Sequence, residues 1–293
     1  MIGVLAPSGA LKGKNRKKML EDIEVNINNF GHEVKFGKTC AMKYNNYFAG
    51  DDRERARDLE NMFLDDEVDI IICLRGGYGV TRMMDMIDYE IIKKHPKPLV
   101  GLSDITGLHL ALYKKCGLKT YHGLMCSVGG TYEWDEFSYN SLMSALTFKG
   151  ELNVENPYGE HIYSVNPGKA SGELVGGNLS LLISTLGTEY EIDTKDKILF
   201  IEEIDEPLYK IDRMLTQLKM CGKFADCAGV VFGDFKDCSK DEKLMDLFRE
   251  FVRGTGKPAV YNLQSGHCKP LITLPLGELC RLDADKKTIK FFR

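Results

Sequence analysis

The chain predicts an α/β protein in two parts: a parallel sheet wrapped by helices, followed by an α+β unit with substantial strand content. Two observations predict it. Through the first half, short apolar strands alternate with helices, which specifies parallel strands, right-handed crossovers and helices on both faces. Near Gly130 the alternation stops and aromatic, Asn, Pro and Gly residues take over, until Ala170 opens a second patterned stretch.

The elements follow in order. Ile2 to Ala6 reads as a strand, Asn15 to Phe30 as a helix and Glu33 to Phe36 as a second strand. Asp51 to Leu64 reads as a charged helix, after which Asp69 to Leu74 is a fully apolar strand, as expected when both faces are covered. A helix from about Val80 to Met86 leads to Lys97-Pro98-Leu99-Val100-Gly101-Leu102-Ser103-Asp104-Ile105-Thr106, a buried strand that ends in a turn. From Asp104 to Lys115, Ile105, Leu108, Leu112 and Tyr113 recur at helical spacing, and Gly117 sits where a C-terminal cap belongs. This first part, residues 1–130, is a Rossmann- or flavodoxin-like sheet whose ligands bind beyond the carboxyl ends of the strands. Residues 131–169 read as a linker holding one helix, Ser138 to Phe148.

Residues 170–293 form the second unit. It holds a helix at Leu179 to Leu186, the strand Ile198 to Ile201, a helix at Tyr209 to Met220 and the strand Gly229 to Phe232. A closing pair of strands runs from Leu271 to Phe292, with a hairpin turn at Asp283 to Lys287.

Bulk numbers bound the function. At 293 residues the chain can bury two ordinary cores, and 43% hydrophobic with 28% charged residues is a globular composition. A net charge of −4 leaves no basic footprint for nucleic acid; the densest basic cluster, Lys12 to Lys18, reads as the solvated start of a helix. No apolar run approaches a membrane span. Nine cysteines without Cys-x-x-Cys pairs or zinc-finger spacing, and an N-terminus that enters a strand without a charged leader, predict a reduced, cytoplasmic setting.

Chemistry concentrates at the strand ends. A serine where Ser103 stands has its hydroxyl above the sheet edge and its backbone beside the unpaired N–H groups of a helix start. That suits a nucleophile, because those N–H groups can hold an oxyanion, and it equally suits a helix cap. A nucleophilic serine needs a base, and the base needs a third group to hold its tautomer. Of six histidines, His32 and His95 read as surface residues, His161 belongs to the linker, and His109 faces away along the helix after Ser103. His122 is a candidate to line the crevice, and His267 is either a catalytic or a solvated loop residue. Glu202 and Glu203 end a strand on opposite faces, so only one can serve as the acid; the alternative is a solvated acidic loop reaching Glu206.

The turn Gly76-Gly77-Tyr78-Gly79 has three readings. The N–H of Gly77 could join that of Asp104 in holding an oxyanion, the turn could be purely structural, or it could bind phosphate. Its spacing is neither Gly-x-Gly-x-x-Gly nor a Walker loop. The order serine, glutamate, histidine matches α/β-hydrolases, but Ile105 stands where their elbow has its second glycine.

Taken together, Leu74-Arg75-Gly76-Gly77-Tyr78-Gly79, the Ser103 turn, Tyr121-His122-Gly123-Leu124-Met125, Leu199 to Leu215 and Gly266-His267 resemble the LD-carboxypeptidases. These serine peptidases remove the terminal D-alanine from murein tetrapeptides, and the family includes microcin-immunity peptidases. The resemblance runs from Ala6-Pro7-Ser8 to Leu274-Pro275-Leu276-Gly277. It implies Ser103 as nucleophile, His267 as base, Glu202 as acid, and the backbone N–H groups of Gly77 and Asp104 as the oxyanion hole. It implies no cofactor and no metal, a murein tetrapeptide or related small peptide as substrate, and a cytoplasmic homodimer. Leu102 departs from the aromatic residue expected before the nucleophile. The rival readings are microcin-immunity cleavage of a peptide–nucleotide antibiotic and a non-catalytic, two-lobed binding protein.

Overall fold

A computed structural model describes residues 1–13, 15–127 and 132–293. The predicted boundary at 130/131 and Lys14 of the basic cluster lie outside the described residues. The first part runs β1 (Ile2–Leu5), α1 (Arg16–Asn29), β2 (Val34–Phe36), α2 (Asp52–Leu64), β3 (Ile70–Cys73), α3 (Val80–Met83), α4 (Tyr89–Lys94), β4 (Leu99–Gly101), α5 (Thr106–Cys116) and β5 (Thr120–His122). Local signals start and stop these helices. Asp51 and Glu54 form a reciprocal capping box at α2, and Gly117 ends α5 in the left-handed conformation. Among the described residues no helix is long and apolar enough to cross a membrane.

The second part runs α6 (Glu136–Thr147), β6 (Glu151–Val154), β7 (Tyr163–Asn166), β8 (Lys169–Asn178), α7 (Leu179–Thr185), β9 (Ile198–Ile204), α8 (Leu208–Met220), α9 (Lys223–Asp226), β10 (Gly229–Lys236), α10 (Asp241–Val252), β11 (Ala259–Tyr261), β12 (Leu274–Leu276), β13 (Leu279–Asp283) and β14 (Thr288–Phe292). Two sheets result. One has six strands in the order β12-β5-β4-β3-β1-β2, parallel from β2 to β5. The other has eight, β6-β14-β13-β8-β9-β10-β11-β7, with a parallel centre from β8 to β11 and antiparallel flanks.

The first sheet buries both faces. Leu59, Phe63, Ile71 and Leu108 pack on one side, and Val4, Ile23, Ile72 and Val100 on the other. The second does likewise, with Leu199, Ile211, Phe232 and Phe248 opposite Phe200, Val231 and Phe291. This is the α/β architecture that the strand–helix alternation predicts.

Three features depart from the sequence pattern. The stretch that composition marks as a linker supplies β6 and β7, both edge strands of the second sheet. Their partners lie more than ninety residues away, so no local pattern reveals them. The segment from Leu271 does not simply close the second sheet: β12 crosses to pair with β5, Leu274 opposite His122. The helices α4, α9 and α10 and the short strands β5 and β11 also form beyond the predicted elements.

Two contacts bind the parts that matter for function. The end of β8 abuts the start of α5, where the Asn178 N–H donates to Thr106 Oγ1 at 3.0 Å. Gly177 is obligatory there, since it sits at φ +145° and a Cβ would lie 2.5 Å from that same Oγ1. Within the first part, Arg55 is fully buried. Its guanidinium donates to the carbonyls of Pro7 (2.7 Å) and Gly79 (2.8 Å) and pairs with Asp52. One side chain thereby ties two strand-end loops to α2.

Breaking such a buried ion pair on one side, while stranding two carbonyls, costs several kcal/mol. Arg55→Met is therefore expected to lower the unfolding free energy by about 3 kcal/mol in urea denaturation. A loss below about 1 kcal/mol would show that the guanidinium does not hold these loops.

Candidate active site

Ser103 stands where β4 ends, and its backbone turns there through φ +64°. A left-handed φ is uncommon for a residue with a side chain, and holding it costs about 1–3 kcal/mol. Ser103 to Ile105 form one 3-10 turn that runs into α5. Neither helical start carries a side-chain cap, so the Ser103 hydroxyl is not spent as one. Room for the turn comes from Gly76, where a Cβ would lie 2.8 Å from Ser103 Cβ and 3.0 Å from its Oγ.

Of the two predicted backbone donors, Gly77 lines the same crevice as the serine and Asp104 follows it in the chain. Gly77, at φ +135°, packs on the chain at Gly9, and its N–H has no backbone acceptor among the described residues. Asp104 is the second residue of the helical turn, where the first N–H groups lack intrahelical acceptors. Its carboxylate is buried and serves structure. It accepts from Ser8 Oγ at 2.6 Å and from the Val80 N–H at 3.0 Å, which fixes the strand-end loops around the serine. Burial pushes the Asp104 carboxyl above its usual range, against these donors and Arg55.

Ser103, Gly76, Gly77, Arg75, Lys12 and His267 line one crevice of about 510 Å³. His267 comes from the second part, in the segment between β11 and β12. That segment is pinned by Ile272 N–H to Gln264 O (2.7 Å) and Ser265 Oγ to Ile272 O (2.9 Å). His267 Nδ1 lies 2.7 Å from Glu202 Oε2, and the Glu202 side chain is wholly buried. A carboxylate only accepts, so Nδ1 carries the proton and Nε2 keeps its lone pair. Burial pulls the ring's pKa down, but the Glu202 carboxylate outweighs it, helped by Glu203 and Asp234, and leaves it above 6.5.

Strand alternation separates the two glutamates. Glu202 meets the histidine, while Glu203 accepts from Asn178 Nδ2 (2.9 Å) and from the Ser180 N–H (2.9 Å) and Oγ (2.6 Å). Glu203 thus anchors the start of α7. Neither is part of a solvated acidic loop, since both are buried.

Other residues fall differently from their sequence reading. His122 does not line the crevice. It is fully buried, with its ring edge-on to Phe200 at 5.0 Å, and burial holds its pKa well below the usual value. His109 faces away, as its place in the helix predicts, and lies 2.9 Å from the Gly101 carbonyl, where its Nε2–H donates. His32 meets Tyr139 Oη at 2.7 Å instead of standing free on the surface. Two residues near the site have no role in the sequence reading. Arg75 donates to the Ala10 carbonyl at 2.9 Å and has no acidic partner among the described residues. Asp234 lies half-buried on β10 beside Glu202. A cation beside the Gly-Gly turn and an acid at the end of an apolar strand were the available signals. Among the described residues no cluster of His, Cys, Asp and Glu is arranged to hold a metal ion.

The chain is similar to known proteins. The family description "LD-carboxypeptidase N-terminal domain" matches residues 2–123, and "LD-carboxypeptidase C-terminal domain" matches residues 171–282. The probable murein peptide carboxypeptidase of Bacillus subtilis is 42% identical over 98% of this chain and 90% of its own length. The muramoyltetrapeptide carboxypeptidase of Oxalobacter formigenes has a similar structure, with a TM-score of 0.84 at 28% identity over 99% of this chain and 97% of that one. The microcin C7 self immunity protein MccF superposes with a TM-score of 0.90 over 100% of this chain and 95% of that one. At 24% identity, that likeness speaks for the fold alone.

The two glutamates make opposite demands. By NMR, the His267 ring is expected to titrate above 6.5 and to move down in Glu202→Gln, because the main charge that favours imidazolium is removed. Glu203→Gln moves the ring less, but it turns an amide donor towards Ser180 and lowers the unfolding free energy by about 2 kcal/mol. Equal ring shifts in the two variants would show that the Glu202 contact does not set the charge of His267.

Proposed function

This chain belongs to the LD-carboxypeptidase family and is a serine carboxypeptidase, and from that premise we propose how its crevice releases the terminal D-alanine of a murein tetrapeptide. Ser103 Oγ attacks the carbonyl that precedes the terminal residue while His267 Nε2 takes its proton. The tetrahedral oxyanion is held by the N–H groups of Gly77 and Asp104. The C–N bond then breaks as His267 passes that proton to the departing amine, leaving an ester on Ser103. A water molecule, deprotonated by His267, attacks the ester, and the proton returns to Ser103 as the peptide leaves.

One observation carries this reading: Ser103, on a strained strand-to-helix turn, shares a crevice with a histidine whose Nδ1 is bonded to a buried carboxylate at 2.7 Å. A third group that orients and charges the base is what a serine hydroxyl needs near neutral pH. A two-lobed binding protein would need neither the strained serine nor the paired histidine. The 42% identity to a probable murein peptide carboxypeptidase supports the carboxypeptidase reading over the microcin-immunity one, because the MccF likeness is one of fold.

Arg75 completes the substrate reading. A carboxypeptidase must recognise a free terminal carboxylate, and Arg75 lines the crevice without an acidic partner among the described residues. A guanidinium suits a carboxylate through paired N–H donors. In this account the enzyme works in the cytoplasm as a homodimer in cell-wall recycling, with neither nucleic acid nor membrane as partner.

The test is product analysis on purified protein. D-alanine is expected from the tetrapeptide, but not from the pentapeptide ending in two D-alanines, nor from a tetrapeptide amide that lacks the terminal charge. A terminal L-alanine inverts the centre beside the scissile bond, and a misplacement of about 1 Å costs on the order of a hundredfold in rate. Equal release of L- and D-alanine, or equal cleavage of the pentapeptide, would refute the assignment.

A further inference from the structure

Asp234 holds a half-buried carboxylate that nothing in the reaction above uses. It follows Gly233 in β10, where the pairing with β9 slips: Phe232 lies opposite Ile201, yet Phe235 lies opposite Glu203. Two residues, Gly233 and Asp234, therefore face the single residue Glu202. A bulge of this kind re-aims side chains, and bulges gather beside active sites. Both carboxylates close on the same glycine, since a Cβ on Gly266 would lie 3.1 Å from Glu202 Cβ and 3.3 Å from Asp234 Cβ.

Neither carboxylate is fully satisfied. Glu202 Oε1 and Asp234 Oδ2 are buried without a hydrogen-bond partner among the described residues. Asp234 is held by its backbone, its N–H donating to the Ser265 carbonyl at 3.0 Å. A carboxylate with one oxygen buried and unpartnered, whose side chain braces nothing, is costly, and fold stability gives no reason to keep it. The neighbouring His267 does give one.

We propose that Asp234 is a positioning residue: a second carboxylate behind Glu202 that favours the imidazolium form of His267 during turnover. The inference rests on the assignment of His267 and Glu202 made above. The charged groups around the ring are few. Glu202 and Glu203 reach it from β9, and Asp234 from β10 with Lys236 and Asp237 beyond. His122 on β5 is buried on another side, and Arg75 and Lys12 line the open crevice. Burial and Glu202 push the Asp234 carboxyl up to about 6, and its charge, when ionised, favours the protonated ring.

The sign of the effect follows. His267 must be neutral to accept the serine proton, so kcat/KM falls as pH drops through its pKa. Removing the Asp234 charge lowers that pKa and moves the acid limb to lower pH, while it weakens the imidazolium needed at the tetrahedral stage.

The experiment is a pH profile of D-alanine release for wild type, Asp234→Asn and the smaller Asp234→Ser, with the His267 ring followed by NMR in each. In both variants the acid limb and the ring titration are expected to move down by about one pH unit. At the pH optimum kcat is expected to fall about tenfold, the equivalent of one pKa unit of imidazolium stabilisation. Profiles and ring titrations that superimpose on wild type in a folded variant would overturn the proposal. Glu202→Gln and His267→Ala keep the two claims apart. If these are inactive while the Asp234 variants behave as wild type, the positioning role falls and the catalytic assignment stands. If they turn over normally, the assignment itself falls.

Discussion

The site depends on one junction. Its serine ends a strand of the first sheet, whereas its histidine and glutamate belong to the second part of the chain. They share a crevice only while the end of β8 is held against the start of α5. The Asn178 N–H bonded to Thr106 Oγ1 makes that connection, three residues after Ser103, and Asn178 pairs in register with Glu202. The Asn178 amide also donates to Glu203, so one asparagine touches the serine's helix, the acid's strand and the acid's neighbour. The crossing of β12 to β5 adds a second tie beyond the loop that carries His267. A shift of one residue in β9 would turn Glu202 and Glu203 to the wrong faces together.

Around that junction the molecule holds two unfavourable arrangements. One is the left-handed backbone of Ser103, which persists because Gly76 leaves the space and Asp104 locks the adjoining loops through Ser8 and Val80. The other is the concentration of negative charge around His267, with the side chain of Glu202 wholly buried. Strain and buried charge of this kind survive only when the surrounding contacts over-determine them. Arg55 is part of that surround, since it holds the loop at Pro7 and the turn at Gly79. In the proposed mechanism the loops position the serine, and the acids around His267 set its charge.

Much of this was legible in the residues. Local signals, namely the alternation of strands with helices and the cap at Gly117, placed most of the first part. Pairs of residues in known motifs placed Ser103 and His267. Alternation at Glu202 and Glu203 showed that one of them would face the histidine, but not which, because face depends on the partners of the strand. What stayed hidden is non-local. β6 and β7 gain strand character from partners far along the chain, and their own sequences, Glu-Leu-Asn-Val and Tyr-Ser-Val-Asn, are weakly apolar. The bulge that brings Asp234 to Glu202 arises from pairing, and Thr106 reads as an ordinary helix residue until β8 arrives.

The central claim is that the strained serine performs the chemistry. Its most direct test is D-alanine release from the murein tetrapeptide by Ser103→Ala, with folding checked by circular dichroism. A folded variant slowed by about 10⁴-fold or more is expected, the scale on which serine hydrolases lose activity without their nucleophile. Turnover at the wild-type rate by the folded variant would contradict the account.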